Sequence, residues 1–92
     1  MVTVFVMMKT DPYRIPEAAQ DIANIDEVEA VYSVTGNWDL VAMVKTSNFK
    51  DLSELIPAKI AKVATVYNTE TMVAFRTYSD HDIEAGFALG ME

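Results

Sequence analysis

Over residues 2–8 apolar side chains occupy both parities of the chain. Val2, Val4, Val6 and Met8 fall on one side and Phe5 and Met7 on the other, the pattern of a strand buried on both faces. The period then changes. Ile15, Ala18, Ala19, Ile22 and Ile25 recur at helical spacing, with Pro16 pre-set for a first turn and Glu17 favourable near the positive end of the helix. Residues 28–35 and 38–46 are rich in β-branched and aromatic residues on either side of Gly36-Asn37, which predicts a hairpin.

A second helix is expected after Asn48, a capping residue, with Phe49, Leu52, Leu55, Ile56, Ile60 and Val63 on its apolar face and Pro57 kinking or ending it. Residues 66–78 return to alternation, placing Tyr67, Thr69, Thr71, Val73 and Phe75 on one side and Met72 and Ala74 on the other. Ser79, Asp80 and Asp82 form a polar start for a short C-terminal helix carrying Ile83 and Phe87, with Leu89 beyond. The expected organisation is one domain over residues 1–78 and a tail, helical in this reading, over residues 79–92.

The two halves echo each other. Lys9-Thr10 ends the first strand as Lys45-Thr46 ends the third, and VEAVYSVT from Val28 resembles VATVYNTE from Val63. A doubled βαβ unit gives an α+β, ferredoxin-like βαββαβ sandwich, in which right-handed crossovers put both helices on one face of a four-stranded antiparallel sheet. Two helices cover one sheet face only, yet Phe5, Met7, Val31, Val41 and Met43 are expected on the other. Leaving that face wet would forfeit on the order of ten kcal/mol. A second copy of the chain is the expected cover, in a homodimer joined face to face or edge to edge.

Composition narrows the function. With 51% hydrophobic residues, 23% charged, three Gly and three Pro, the chain reads as a packed globule. Its formal net charge of -7, with basic residues scattered singly, would repel phosphate backbones and anionic lipid. Neither direct nucleic-acid binding nor membrane association is expected. No cysteine is present, so disulfides, thiol nucleophiles and thiolate metal sites are excluded. The apolar start lacks a basic leader and is too short to span a bilayer, and cytoplasmic residence is the expectation.

The densest polar cluster is Thr35, Gly36, Asn37, Trp38 and Asp39. Gly36 gives the turn torsional freedom and exposes backbone N–H groups that can hold a carboxylate. Asp39 offers a negative charge to an ammonium group, and Trp38 an apolar wall that also faces cations. The alternative is structural: an ordinary turn, with Asp39 satisfying loop amides and Trp38 plugging the sandwich edge. Asn68, Thr69 and Thr71 divide the same way between pocket wall and plain polar strand. No metal-ligand spacing, nucleophile elbow or phosphate loop is present, and the lone His81 lies among tail carboxylates, so no catalytic residue, metal or cofactor is assigned.

VYSVTGNWDLVAMV, the later IAKVATVYNTET and the following MVAF resemble the ligand-binding half of the Lrp/AsnC regulators, the RAM domain. The resemblance covers residues 2–76. It implies a βαββαβ fold, a dimeric α/β-barrel-like assembly that builds into rings, and a small effector, usually an amino acid, held between dimers near the hairpin. Thr35, Gly36 and Asp39 match the family's hairpin motif, Asn37 and Trp38 occupy its variable positions, and Asn68, Thr69 and Thr71 fall at the second wall. Where relatives carry Pro-Gly before the last strand, this chain has Ala61-Lys62.

Relatives also begin with a DNA-binding helix-turn-helix, whereas this sequence starts at the first strand. It therefore resembles a free-standing form of the domain, an oligomeric amino-acid sensor in transcription regulation rather than an enzyme. Two other readings stay open. One is a small dimeric enzyme, monooxygenase- or isomerase-like, on the same fold. The other is a ligand-free adaptor that co-assembles with a full-length DNA-binding relative.

Overall fold

The computed structural model describes residues 2–63 and 65–79. The elements run β1 (Val2–Thr10), α1 (Ile15–Ala23), β2 (Val28–Ser33), β3 (Leu40–Thr46), α2 (Phe49–Leu55), a π-helical turn (Ile56–Ile60) and β4 (Val66–Val73). They form a four-stranded antiparallel sheet in the order β2-β3-β1-β4. The ferredoxin-like α+β sandwich expected from the doubled pattern is present. The expected tail helix with His81, Ile83, Phe87 and Leu89 lies outside the described residues.

Both helices start as the sequence predicts. Pro16 occupies the first turn of α1, where its missing N–H costs nothing, and Glu17 forms an ion pair with Arg14 at 3.4 Å. Asn48 caps α2, its side-chain oxygen accepting the N–H of Asp51 at 3.1 Å. The Asp51 carboxylate in turn accepts the Thr46 hydroxyl at 3.2 Å, tying the end of β3 to the helix. The α-helix stops at Leu55, and the widened π turn contains Pro57. Proline has no N–H to continue the ladder. The expected helical face therefore does not run unbroken to Val63, although Ile60 is still delivered fully buried.

One side of the sheet faces the helices. Val4, Val6 and Met8 of β1 with Leu40, Ala42 and Val44 of β3 pack against Ala18, Ile22, Leu52 and Ile60. The odd positions of β1 and the residues opposite them form the other, open face: Met7 beside Val41 and Phe5 beside Met43, with Tyr32 next to Val41 and Met72 next to Phe5. The described helices pack on the opposite side, and on this face Met7 is buried while Phe5, Val41 and Met43 are partly exposed. Tyr32 is 52% and Met72 51% exposed.

Two expectations about parity and one about strand length need correction. Val28 pairs with Val44 and Ala30 with Met43, so Glu29 is an extra residue in β2 and the strand beyond it is turned over. Val31 thus lies on the helix side against the core, and Ala30 and Tyr32 take the open face. In β4, Thr10 pairs with Val66 and Lys9 with Asn68, so Tyr67 is the extra residue and is 69% exposed rather than in line with Thr69. Finally, β4 ends at Val73, one residue before Ala74 donates its N–H to the Thr3 carbonyl. Beyond that strand end Phe75 is fully exposed.

Candidate functional site

Antiparallel pairing brings four chain points to one end of the sheet: the C-terminus of β1, the N-termini of β3 and β4, and the loop between β2 and β3. That loop is no tight two-residue turn. It spans residues 34–39 and is closed by the Val34 N–H donating to the Asp39 carbonyl at 3.1 Å. Gly36 has φ +100°, a conformation L side chains rarely adopt, while the space around it is open, so backbone torsion alone calls for glycine there. Thr35, Gly36 and Asn37 are exposed and Trp38 and Asp39 half-buried.

Asp39 anchors the loop to β1 twice. Its N–H donates to the Met8 carbonyl at 3.0 Å, and its carboxylate Oδ2 accepts the Thr10 N–H at 3.0 Å. The β1–β3 ladder ends at the Met8–Leu40 pair, leaving the Thr10 amide without a strand partner on that side. Thr10 itself is fully buried, and an amide with no acceptor there would cost about 1–3 kcal/mol. The structural role weighed for Asp39 from sequence is therefore real: one carboxylate oxygen is committed to the fold.

Trp38 meets Lys9. The Lys9 ammonium lies 6.0 Å from the centre of the indole ring, and across β1–β4 the residue opposite Lys9 is Asn68. Trp38, Lys9 and Asn68 thus form one corner at the rim of the open sheet face. Lys9 was not among the residues singled out from sequence. The signal was available in the alternation, since Lys9 continues the Phe5–Met7 side of the strand and puts a charge at the end of an apolar row.

The second candidate group does not converge as a unit. Thr69 sits opposite Met8 and Thr71 opposite Val6, both on the helix side, whereas Asn68 is on the open side. A shallow pocket of about 250 Å³ is lined by Ala61, Val66, Tyr67, Asn68 and Thr69, next to the β1 terminus; Thr71 is farther along the strand. Strand alternation explains the split, because neighbours in a strand point to opposite faces.

Among the described residues no group of three or more His, Cys, Asp or Glu side chains could hold a metal ion. No helix among them is long and apolar enough to cross a membrane. The corner offers hydrogen-bonding and charge recognition at an aromatic wall.

A model of the Lrp/AsnC ligand binding domain matches residues 3–83. An uncharacterised HTH-type transcriptional regulator of Pyrococcus horikoshii is 33% identical over 81 residues, covering 85% of this chain and 54% of the regulator. The chain spans about half the length of the curated relatives it matches. A Thermus thermophilus protein of known crystal structure superposes with a TM-score of 0.81 at 37% identity, over 86% of this chain and 99% of that one. The feast or famine regulatory protein of M. tuberculosis, solved with L-methionine, gives a TM-score of 0.72 at 30% identity, over 87% and 54% of the respective chains. This chain belongs to the Lrp/AsnC ligand-binding-domain family.

Proposed function

We propose that this domain is an amino-acid-binding sensor that acts as an oligomer in transcription regulation, with its effector held at the corner formed by residues 35–39, Lys9 and the start of β4. The observation that carries the reading is the position of that corner. A pre-organised loop with a left-handed glycine, an aromatic wall and a carboxylate with one oxygen already fixed stands at the rim of an apolar sheet face that its own helices do not cover. Burying a large apolar side chain contributes roughly 1.5–3 kcal/mol, so Phe5, Met43, Tyr32 and Met72 together favour a cover. An identical face on a second copy supplies one by two-fold packing and brings the corner beside a neighbour.

The amino-acid class is supported by the L-methionine held by the M. tuberculosis relative, and by the loop's own mix of backbone donors and a carboxylate. Occupancy at a site shared between copies would act on assembly through its differential contacts with the free and assembled states. Isothermal titration calorimetry with each standard amino acid tests this. Saturable heat from at least one of them is expected; no heat from any, with the protein folded, would remove the proposal.

A further inference from the structure

The corner contains one full positive charge, and the protein around it is acidic: 14 Asp and Glu against 7 Lys and Arg. Such a molecule repels carboxylate ligands unless a local cation offsets the field. Lys9 is half-buried on the open sheet face, and its ammonium is located by the Trp38 ring at 6.0 Å. That distance is at the outer limit of a cation–π contact, so the indole orients the ammonium weakly and leaves its N–H donors available. Ion pairs among the described residues join Arg14 to Glu17 and Lys59 to Glu27, and neither involves Lys9. Of the carboxylates on the flanking elements, Asp39 has given Oδ2 to the Thr10 amide, and Glu70, opposite Met7 on the same open face, makes no ion pair with Lys9.

We infer that Lys9 is a ligand-binding residue that takes the carboxylate of the effector, in concert with Asn68 across the strand pair and the exposed amides of the Gly36 turn. The inference rests on the reading of this corner as the ligand site. It adds a residue and a charge: the effector is bound through its anionic group on the open-face side. The chemistry favours this assignment. A half-buried ammonium that loses more water when the face is covered must acquire an anion or become costly, and a charge-assisted bond from Lys to carboxylate is about twice as strong as a neutral one.

Trp38 is the single tryptophan of the chain, so its emission reports on this corner alone. The experiment titrates the full chain with acetate, succinate and each standard amino acid at constant ionic strength, in wild type, Lys9→Met and Lys9→Arg. At least one carboxylate is expected to change Trp38 emission saturably, with affinity reduced about tenfold or more in Lys9→Met and kept within about threefold in Lys9→Arg. The carboxamide of any amino acid that binds is expected to lose a similar factor on the wild-type protein, which keeps the test decisive if Lys9→Met does not fold.

Equal affinity in wild type and Lys9→Met, equal binding of acid and amide, or no response to any carboxylate would each overturn the assignment. So would an emission change on dilution with no response to carboxylates, the mark of a Lys9 ion pair between copies. A response to acetate or succinate without any amino acid would keep Lys9 and remove the amino-acid reading. Amino-acid binding undiminished in Lys9→Met would do the reverse.

Discussion

The carboxylate of Asp39 accepts the backbone N–H of Thr10 at 3.0 Å, across 29 positions of sequence. A side chain thereby stands in for a strand carbonyl at the point where the β1–β3 ladder has ended, and the loop that carries Gly36 is fixed to the central strand of the sheet. The loop's shape belongs to the fold before any ligand arrives.

Asp39→Ala removes the acceptor and strands a buried amide, and is expected to destabilise the fold by about 1–3 kcal/mol. Asp39→Asn keeps an acceptor oxygen and should cost clearly less. Thermal unfolding of the two variants, with hydrogen exchange at the Thr10 amide, separates the roles. Fast Thr10 exchange in Asp39→Ala and near-normal protection in Asp39→Asn are expected, and equal protection in all three proteins would show that the bond contributes nothing.

The extra residue at Glu29 makes a paired prediction. Val31 faces the core, so Val31→Asp places a charge on the helix side and should destabilise by about 2 kcal/mol or more. Tyr32 is on the open face and half exposed, so Tyr32→Asp should leave the unfolding midpoint of the isolated chain nearly unchanged while weakening association. Melting curves and light scattering on both variants check this, and reversed effects would mean the strand lacks the bulge.

Lys59 donates to both carboxylate oxygens of Glu27 at 3.0 Å, fastening the π turn to the loop before β2. The hydrogen bond from Lys59, aided by Glu27's own backbone N–H, holds the Glu27 carboxyl below its ordinary value of 4.5 against a smaller opposing effect of burial. The folded state therefore binds this proton less readily than the unfolded chain. The stabilisation is present at neutral pH and is lost as pH falls below that ordinary value and through the lowered one. Both side chains are partly exposed, so the pair is worth about 0.5 kcal/mol, or roughly 2–4 °C in Tm. Glu27→Gln should lower Tm by that amount at pH 7 and by progressively less as the pH falls below 4.5, and an effect independent of pH would assign the loss to packing.

Much of this was legible in the chain. The unbroken parity of β1 identified a strand with two apolar faces, Pro16 and Asn48 marked their helix starts, and the doubled pattern specified the topology. What escaped was set by pairing rather than by local sequence. Nothing about Glu29 or Tyr67 alone announces an extra residue, yet each turns its neighbours over, moving Val31 to the core and detaching Tyr67 from Thr69. The site divides likewise. Gly36 signalled its own torsion, and the alternation put Lys9 at the end of the Phe5–Met7 row, but its neighbours Trp38 and Asn68 followed only from the placement of β1 between the loop and β4.

An apolar sheet face that the described helices leave uncovered, with a polar corner at its rim, underlies the whole functional reading. Sedimentation equilibrium of the wild-type chain at micromolar concentration tests it most directly. A species of twice the chain mass or a higher multiple is expected, dissociating when Met43 is changed to Asp; a folded, stable single chain at that concentration would contradict it.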